Sequence, residues 1–322
     1  MKKIYILLAI ATLMLSCTQE VVYEIDYTVS LDKENTYRAG DPVKFNFNGS
    51  VDNIVFYSGE TGHQYQYRNR YEVDKEAVKA ATLKMEYQAR YGDAGALEVW
   101  VSNSFAGLSG EDAAADTTLM KSIVNGGMEG WQKLEYNEGK STTWTSQEYA
   151  VNDYLQSFCI ALHWCPKDCT KTQRTYWING SLNLDLEGLE PQTIDFSSLD
   201  FVSVMMNKEV ADPYTKNNGN GTIILNKPAT ADIIFQGVGA NKLTYAIDGW
   251  VVSKPTPLNK VDNDKGQVIK NLQNYLHSFE YTWTEPGTYT VTFAGTNSNY
   301  AGSSTKNHEM TITIFEKEPE KL

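Results

Sequence analysis

Along most of the chain, apolar and polar residues alternate with a period of two. Tyr23, Ile25 and Tyr27 alternate with Glu24, Asp26 and Thr28, and Val43, Phe45 and Phe47 alternate with Lys44 and Asn46. Alternation of this kind places one side of an extended segment in a core and leaves the other in water, so it predicts half-buried strands. Ile54-Val55-Phe56-Tyr57 reads as a further strand, and the alternation continues over 82–89 and 96–102, the last two joined by the turn residues Arg90-Tyr91-Gly92-Asp93-Ala94-Gly95. Further strands are predicted at 154–164, 175–186, 201–206, 222–225, 232–235, 243–252, 278–283, 287–294 and 310–315. Short strands recurring roughly every 8–12 residues predict an all-β sandwich, here with one longer insertion at 254–277. Residues 108–126 are rich in Ala, Asp and Gly and read as a long loop with one helical turn. No period in the range of repeat arrays is present.

One corner of this pattern invites a functional reading. Ser58-Gly59-Glu60-Thr61-Gly62 follows a strand and lies near Asp52 and Asn53. The glycines suit backbone angles that other residues avoid, and Asn48, Ser50, Asp52 and Asn53 suit side-chain to backbone turns. A calcium loop would need six to eight oxygens, about three times the two carboxylates this corner supplies. Turn architecture is the expectation.

The N-terminus sets the compartment. Met1-Lys2-Lys3 precedes the apolar run 4–15, too short for a permanent membrane span and laid out like a secretory signal. It ends in Leu13-Met14-Leu15-Ser16-Cys17, which resembles a bacterial lipobox with Cys17 as the lipidated residue. Acyl chains on that cysteine would anchor the protein without a transmembrane helix. Few acids follow it (Glu20, Glu24, Asp26), so a surface-export signal is weak, and the periplasmic face stays open beside the cell surface.

Charge narrows the partners. The chain carries a formal net charge of −12 and no basic stripe, which argues against nucleic acid. Aromatic content of 12% fits an exported β-protein and also fits a sugar binder, whose indole and phenol faces stack on pyranose rings. No hydrolase elbow is found, since Gly107-Leu108-Ser109-Gly110 lacks one residue of it. Metalloprotease and phosphate-loop motifs are missing as well, and no cofactor is indicated. Paired glycosidase carboxylates are a matter of spatial proximity and stay open.

The densest chemistry lies in Phe158-Cys159-Ile160-Ala161-Leu162-His163-Trp164-Cys165-Pro166-Lys167-Asp168-Cys169. In an exported protein Cys165 and Cys169 are expected to form a small disulfide loop, with Cys159 a buried apolar residue in a strand. A zinc set of Cys159, His163, Cys165 and Cys169 has suitable atoms without the spacing of a known knuckle, and a free Cys165/Cys169 pair is the third possibility. A disulfide would stiffen the tip beside Trp164. A rigid indole is a good sugar platform because little ordering entropy is lost on binding; the other reading packs Trp164 under its own loop. Trp144, in a polar Thr/Ser stretch, and Trp131, in Gly130-Trp131-Gln132, complete the carbohydrate-binding candidates, whereas Trp100, Trp177 and Trp250 are predicted to be core.

Two stretches carry a resemblance. Val43–Phe47 with Asn48-Gly49-Ser50, and Tyr281-x-Trp283-x-x-Pro286-Gly287-x-Tyr289-x-Val291-x-Phe293, are similar to the two halves of a PKD-type immunoglobulin-like fold. The string Gly40-Asp41-Pro42-Val43 with Phe56-Tyr57-Ser58-Gly59-Glu60-x-Gly62-His63 resembles an uncharacterised family of Bacteroidota outer-membrane lipoproteins of polysaccharide utilisation. The residues themselves give a signal peptide over 1–17 and a tether over 18–23, and the kinds of domain that follow come from the resemblance. It implies a PKD-like domain over 24–78, a jelly-roll-like ligand-binding domain over 79–215, an immunoglobulin-like domain over 221–316 and a charged tail over 317–322. The function it implies is non-covalent capture of a polysaccharide or oligosaccharide beside an outer-membrane glycan import complex. A structural or adhesive surface protein and a glycan-active hydrolase are the alternatives.

Overall fold

The computed structural model describes residues 21–33, 36–136, 138, 141–207, 221–227, 229–242 and 245–317. They form an all-β protein of two compact units, one discontinuous (1–71 with 262–322) and one inserted into it (72–261). Among the described residues no helix is long and apolar enough to cross a membrane.

The discontinuous unit is a sandwich of two sheets. Its first half supplies β1 (Asp26–Leu31), β2 (Tyr37–Arg38), β3 (Pro42–Ser50) and β4 (Asn53–Tyr57). Its second half supplies β16 (Gln267–Lys270), β17 (Ser278–Thr282), β18 (Gly287–Asn299) and β19 (Gly302–Phe315). The strand orders are β1-β3-β17 and β16-β4-β18-β19-β2, so each sheet draws on both halves. Between them lie Tyr27, Phe45, Phe56, Trp283, Val291 and Phe293, with the Phe45 and Phe293 rings edge-on at 4.9 Å. The Tyr27 hydroxyl donates to the Phe293 carbonyl at 2.8 Å, a buried bond between the two halves.

The Ser58–Gly62 corner belongs to this core. The Ser58 and Tyr281 hydroxyls donate to the Glu60 carboxylate at 2.7 and 2.6 Å, and the Trp283 indole N–H donates to the Ser58 carbonyl at 3.3 Å. Gly59 has φ +81°, and a Cβ there would lie 2.6 Å from the Thr290 carbonyl oxygen, so glycine is required on two counts. The Glu60 carboxylate is spent on closing the turn.

The inserted unit is a second sandwich. One sheet runs β13-β14-β10-β5-β8, from β13 (Thr222–Lys227), β14 (Ala231–Gln236), β10 (Thr175–Leu186), β5 (Val78–Arg90) and β8 (Ser141–Ala150), with β11 (Gln192–Asp195) also on β10. The other runs β12-β15-β9-β6-β7, from β12 (Phe201–Met205), β15 (Gly249–Ser253), β9 (Cys159–Trp164), β6 (Leu97–Ser102) and β7 (Gln132–Leu134). Leu83, Tyr87, Leu162, Trp164, Ile178, Phe235 and Val251 fill the space between them.

The structure redraws the three-domain division expected from the sequence. The segments 24–78 and 221–316 are not separate domains, because β3 pairs with β17 and β4 with β18. Residues 221–261 belong to the inserted unit, since β14 hydrogen-bonds to β10 and β15 to β9. The stretch 108–126 is likewise more than a loop: α1 (Ala113–Asn125) is a full helix. Asp112 caps it by accepting from the Ala114 and Ala115 N–H groups at 3.0 Å each, and it ends at Gly126-Gly127. Met120, Ile123 and Val124 share its buried stripe and pack with Val202, Val204 and Trp250 on the outer side of the second sheet.

Candidate ligand-binding site

The two outer faces of the inserted sandwich carry the chemistry. On the β8-β5-β10-β14 face, strand alternation turns Trp144, Ser146, Lys84, Glu86, Asn179, Ser181 and Asp232 outward. Trp144 is 42% exposed, and it lines a cleft of about 620 Å³ with Lys84, Glu86, Asn179, Ser181 and Asp232. The β13–β14 turn, with Asn226 and Ala229 at positive φ, and Asp195 from β11 form its far side.

Several of these polar groups are held in place. The Asp232 backbone N–H donates to Asn179 Oδ1 at 2.9 Å, and Lys84 Nζ lies 2.9 Å from the Glu86 carboxylate. Burial raises the Asp232 carboxyl above its ordinary value, opposed by a hydrogen bond from the Gly180 N–H and reinforced by the charge of Asp195. A second cleft of about 560 Å³, lined by Glu72, Lys75, Asn103, Asp153 and Lys260, includes no aromatic side chain.

The three candidate tryptophans part company. Trp164 is fully buried between the sheets, its ring 5.4 Å from Phe235 and its indole N–H donating to the Arg174 carbonyl at 3.2 Å. It is a core residue and not a platform, because the alternation of β9 aims it inward. Trp131 is half-buried and packs on Phe105 at 5.1 Å beside the helix cluster. Trp144 alone of the three opens onto a cleft. Trp177 and Trp100, expected in the core, face outward and are half-buried; the Arg90 guanidinium covers Trp177 at 3.9 Å. Trp250 is buried as expected.

The cysteine-rich stretch also differs from expectation. Cys159, Cys165 and Cys169 are all free thiols, so the Cys165–Cys169 disulfide is not formed. Cys165 continues the line of β9, its N–H bonded to the Ala96 carbonyl at 2.8 Å, and its thiol approaches His163 and Glu98. Cys159 donates its S–H to the Ser253 carbonyl at 2.9 Å, and burial pushes its thiol up to about 12. It takes no part in a common ligand set with the other two.

His163 lies across from Glu98 on β6 and stacks on Trp250 with ring centroids 4.0 Å apart. Its Nδ1 is 3.0 Å from Glu98 Oε2 and its Nε2 is 2.8 Å from Asp248 Oδ1. Burial alone would lower the imidazole, but hydrogen bonds to Asp248, Cys165 and Glu98 outweigh it and raise it to about 11. The hydrogen bond from His163 holds the Glu98 carboxyl down at about 2 against its own burial, and Lys133, 2.7 Å away, helps.

Sequence reasoning found Trp144 from its polar surroundings, but missed Glu86, Asn179, Asp232 and Glu98. Pairing of β5, β10 and β14 brings the first three to one face, and pairing of β6 with β9 sets Glu98 beside His163, neither of which a local pattern shows. Cys17, the expected lipidation site, lies outside the described residues. No curated protein and no solved structure matches this chain. Over residues 16–122 the chain is similar to the family described as Domain of unknown function (DUF5017).

Proposed function

We propose that this chain is an exported protein, lipid-anchored at Cys17 in the outer membrane, that captures a polysaccharide or oligosaccharide non-covalently at the cell surface. Capture takes place on the open face of the inserted sandwich and hands the glycan to an outer-membrane import complex. One observation carries this reading: a half-exposed tryptophan, Trp144, at the edge of a cleft whose other walls are mostly polar, with carboxylates, amides, hydroxyls and two lysines among them. An indole face stacks on the apolar side of a sugar ring, while fixed carboxylate and amide oxygens accept from its hydroxyls. From β8 to β14 the cleft crosses three strand spacings, roughly 14 Å. That is long enough for a short run of sugar rings.

The test is affinity electrophoresis or calorimetry of the chain against a panel of polysaccharides, with Trp144→Ala beside the parent. Retardation by one glycan, weakened at least tenfold in the variant, supports capture at this cleft. No retardation by any glycan, with the circular dichroism spectrum intact, points to a structural or adhesive protein. Fatty-acid labelling lost in Cys17→Ala tests the anchor separately. The raised Asp232 carboxyl near Asp195 favours hydrolysis as a second reading. Release of new reducing ends, lost in Asp232→Asn, distinguishes it.

A further inference from the structure

We infer that Glu98, His163 and Cys165 form a metal-binding site of the zinc type on the outer side of the β9 sheet. The three donor atoms lie within 4.8 Å of one another, close enough for one ion to reach all of them after small side-chain adjustments. The placement follows from the strands. His163 and Cys165 are two residues apart on one extended segment and so share a face, and Glu98 sits directly opposite His163 on the neighbouring strand.

The surroundings fit a metal ligand set. Metal-bound imidazoles almost always donate their other ring N–H to a carboxylate, which fixes the tautomer and the ring plane. Here His163 Nε2 is 2.8 Å from Asp248 Oδ1, and Trp250 stacks on the same ring. Nδ1 is thereby left to face Glu98, and the Cys165 thiol belongs to the same cluster of donor atoms. Lys133 holds the other Glu98 oxygen at 2.7 Å, and Oε2, which accepts only a long 3.4 Å bond from the Trp100 indole N–H besides its contact with His163, is the one turned to the ion. Two anionic ligands balance a divalent cation. One nitrogen, one sulfur and one carboxylate oxygen suit zinc or cobalt(II) better than calcium or magnesium. Three protein ligands leave a fourth position, on the side where Cys165 is half-exposed. On loading, the ion replaces the Nδ1 proton and the thiol proton, so uptake releases protons to the buffer and weakens as pH falls.

The experiment uses the full chain, reduced and stripped with a chelator, and titrated with cobalt(II). One equivalent is expected to bind with a thiolate-to-cobalt charge-transfer band. Cys165→Ser should abolish the band, and Cys169→Ser should retain it. Glu98→Gln should weaken binding at least tenfold, and Asp248→Asn, acting through the imidazole, by about 10–100-fold. Zinc should also slow alkylation of Cys165 in the parent while leaving that of Cys169 unchanged, a readout that needs no variant. Absence of stoichiometric uptake, a band that survives Cys165→Ser, or equal alkylation with and without zinc would each overturn the site and leave an imidazolium held between carboxylates.

Discussion

The two outer faces of the inserted sandwich obey the same strand alternation and meet opposite fates. The face of β12-β15-β9-β6-β7 presents Trp250, Ala161, Val204 and Cys159, and α1 lies against it with Met120 fully buried. The face of β8-β5-β10-β14 presents Trp144, Glu86, Asn179 and Asp232 and, among the described residues, carries no α-helix. Both faces have a tryptophan pointing away from the central core. One is covered and 1% exposed, while the other is 42% exposed. A strand therefore decides only which residues point outward; what becomes of them depends on whether another element arrives to cover that face. A covered indole contributes to stability, and an uncovered one is available to a ligand.

Substitutions sharpen this contrast. Trp250→Ala should be the most damaging, losing about 3–5 kcal/mol, because its ring is buried under α1 and stacked on His163. The urea midpoint of the parent and variant measures it. Met120→Ala removes the centre of the helix contact and should cost about 2–5 kcal/mol, read as a drop in melting temperature. Asp116→Ala acts through the loop that leads into the helix. Its buried carboxylate accepts from the Ser109 and Gly110 N–H groups at 2.8 Å each and from the Ser109 hydroxyl at 3.0 Å. Leaving those donors without it should cost about 1–3 kcal/mol, with faster hydrogen exchange at both amides. Trp144→Ala on the open face should change stability by no more than about 0.5 kcal/mol. A large loss of stability there would mean that the open face is covered after all, and the comparison would fail.

The sequence made some of this architecture plain and concealed the rest for identifiable reasons. Strands β3 and β5 were legible because Phe45 and Leu83 alternate with polar neighbours, and β4, β6 and β10 because Phe56, Val99 and Ile178 sit in short runs rich in β-branched and aromatic residues. Strand β8 was not, since its inward positions Thr145 and Gln147 are as polar as its outward ones. Helix α1 was hidden by three alanines and two threonines, although Asp112 before it, Met120, Ile123 and Val124 at helical spacing, and Gly126-Gly127 after it were the available signals. Trp164 misled because two cysteines and Pro166 follow it and suggest a loop, whereas the inward direction of its strand governs. The Glu98–His163–Cys165 cluster needed the pairing of β6 with β9, which no local pattern in the chain announces.

The ends of the inserted unit are tied to each other. Glu72 and Lys260 form an antiparallel bridge, and the Val73 N–H donates to the Asn259 carbonyl at 2.9 Å. This bears on the order of folding. The discontinuous sandwich needs Tyr27 beside Phe293, and while the intervening chain is a coil, closing so long a loop is entropically costly and slow. Once residues 72–261 have folded, their paired ends bring the flanking segments to neighbouring points, and the flexible chain left to close between Tyr27 and Phe293 is shorter than the 266 positions that separate them in sequence. Closing roughly 80 residues in place of that span lowers the closure entropy by about 1 kcal/mol. As the chain emerges from its N-terminus, β1 and β3 can pair with each other, but β2 and β4 wait for β19 and β18 while the inserted unit folds. The first segment made thus belongs to the last unit completed.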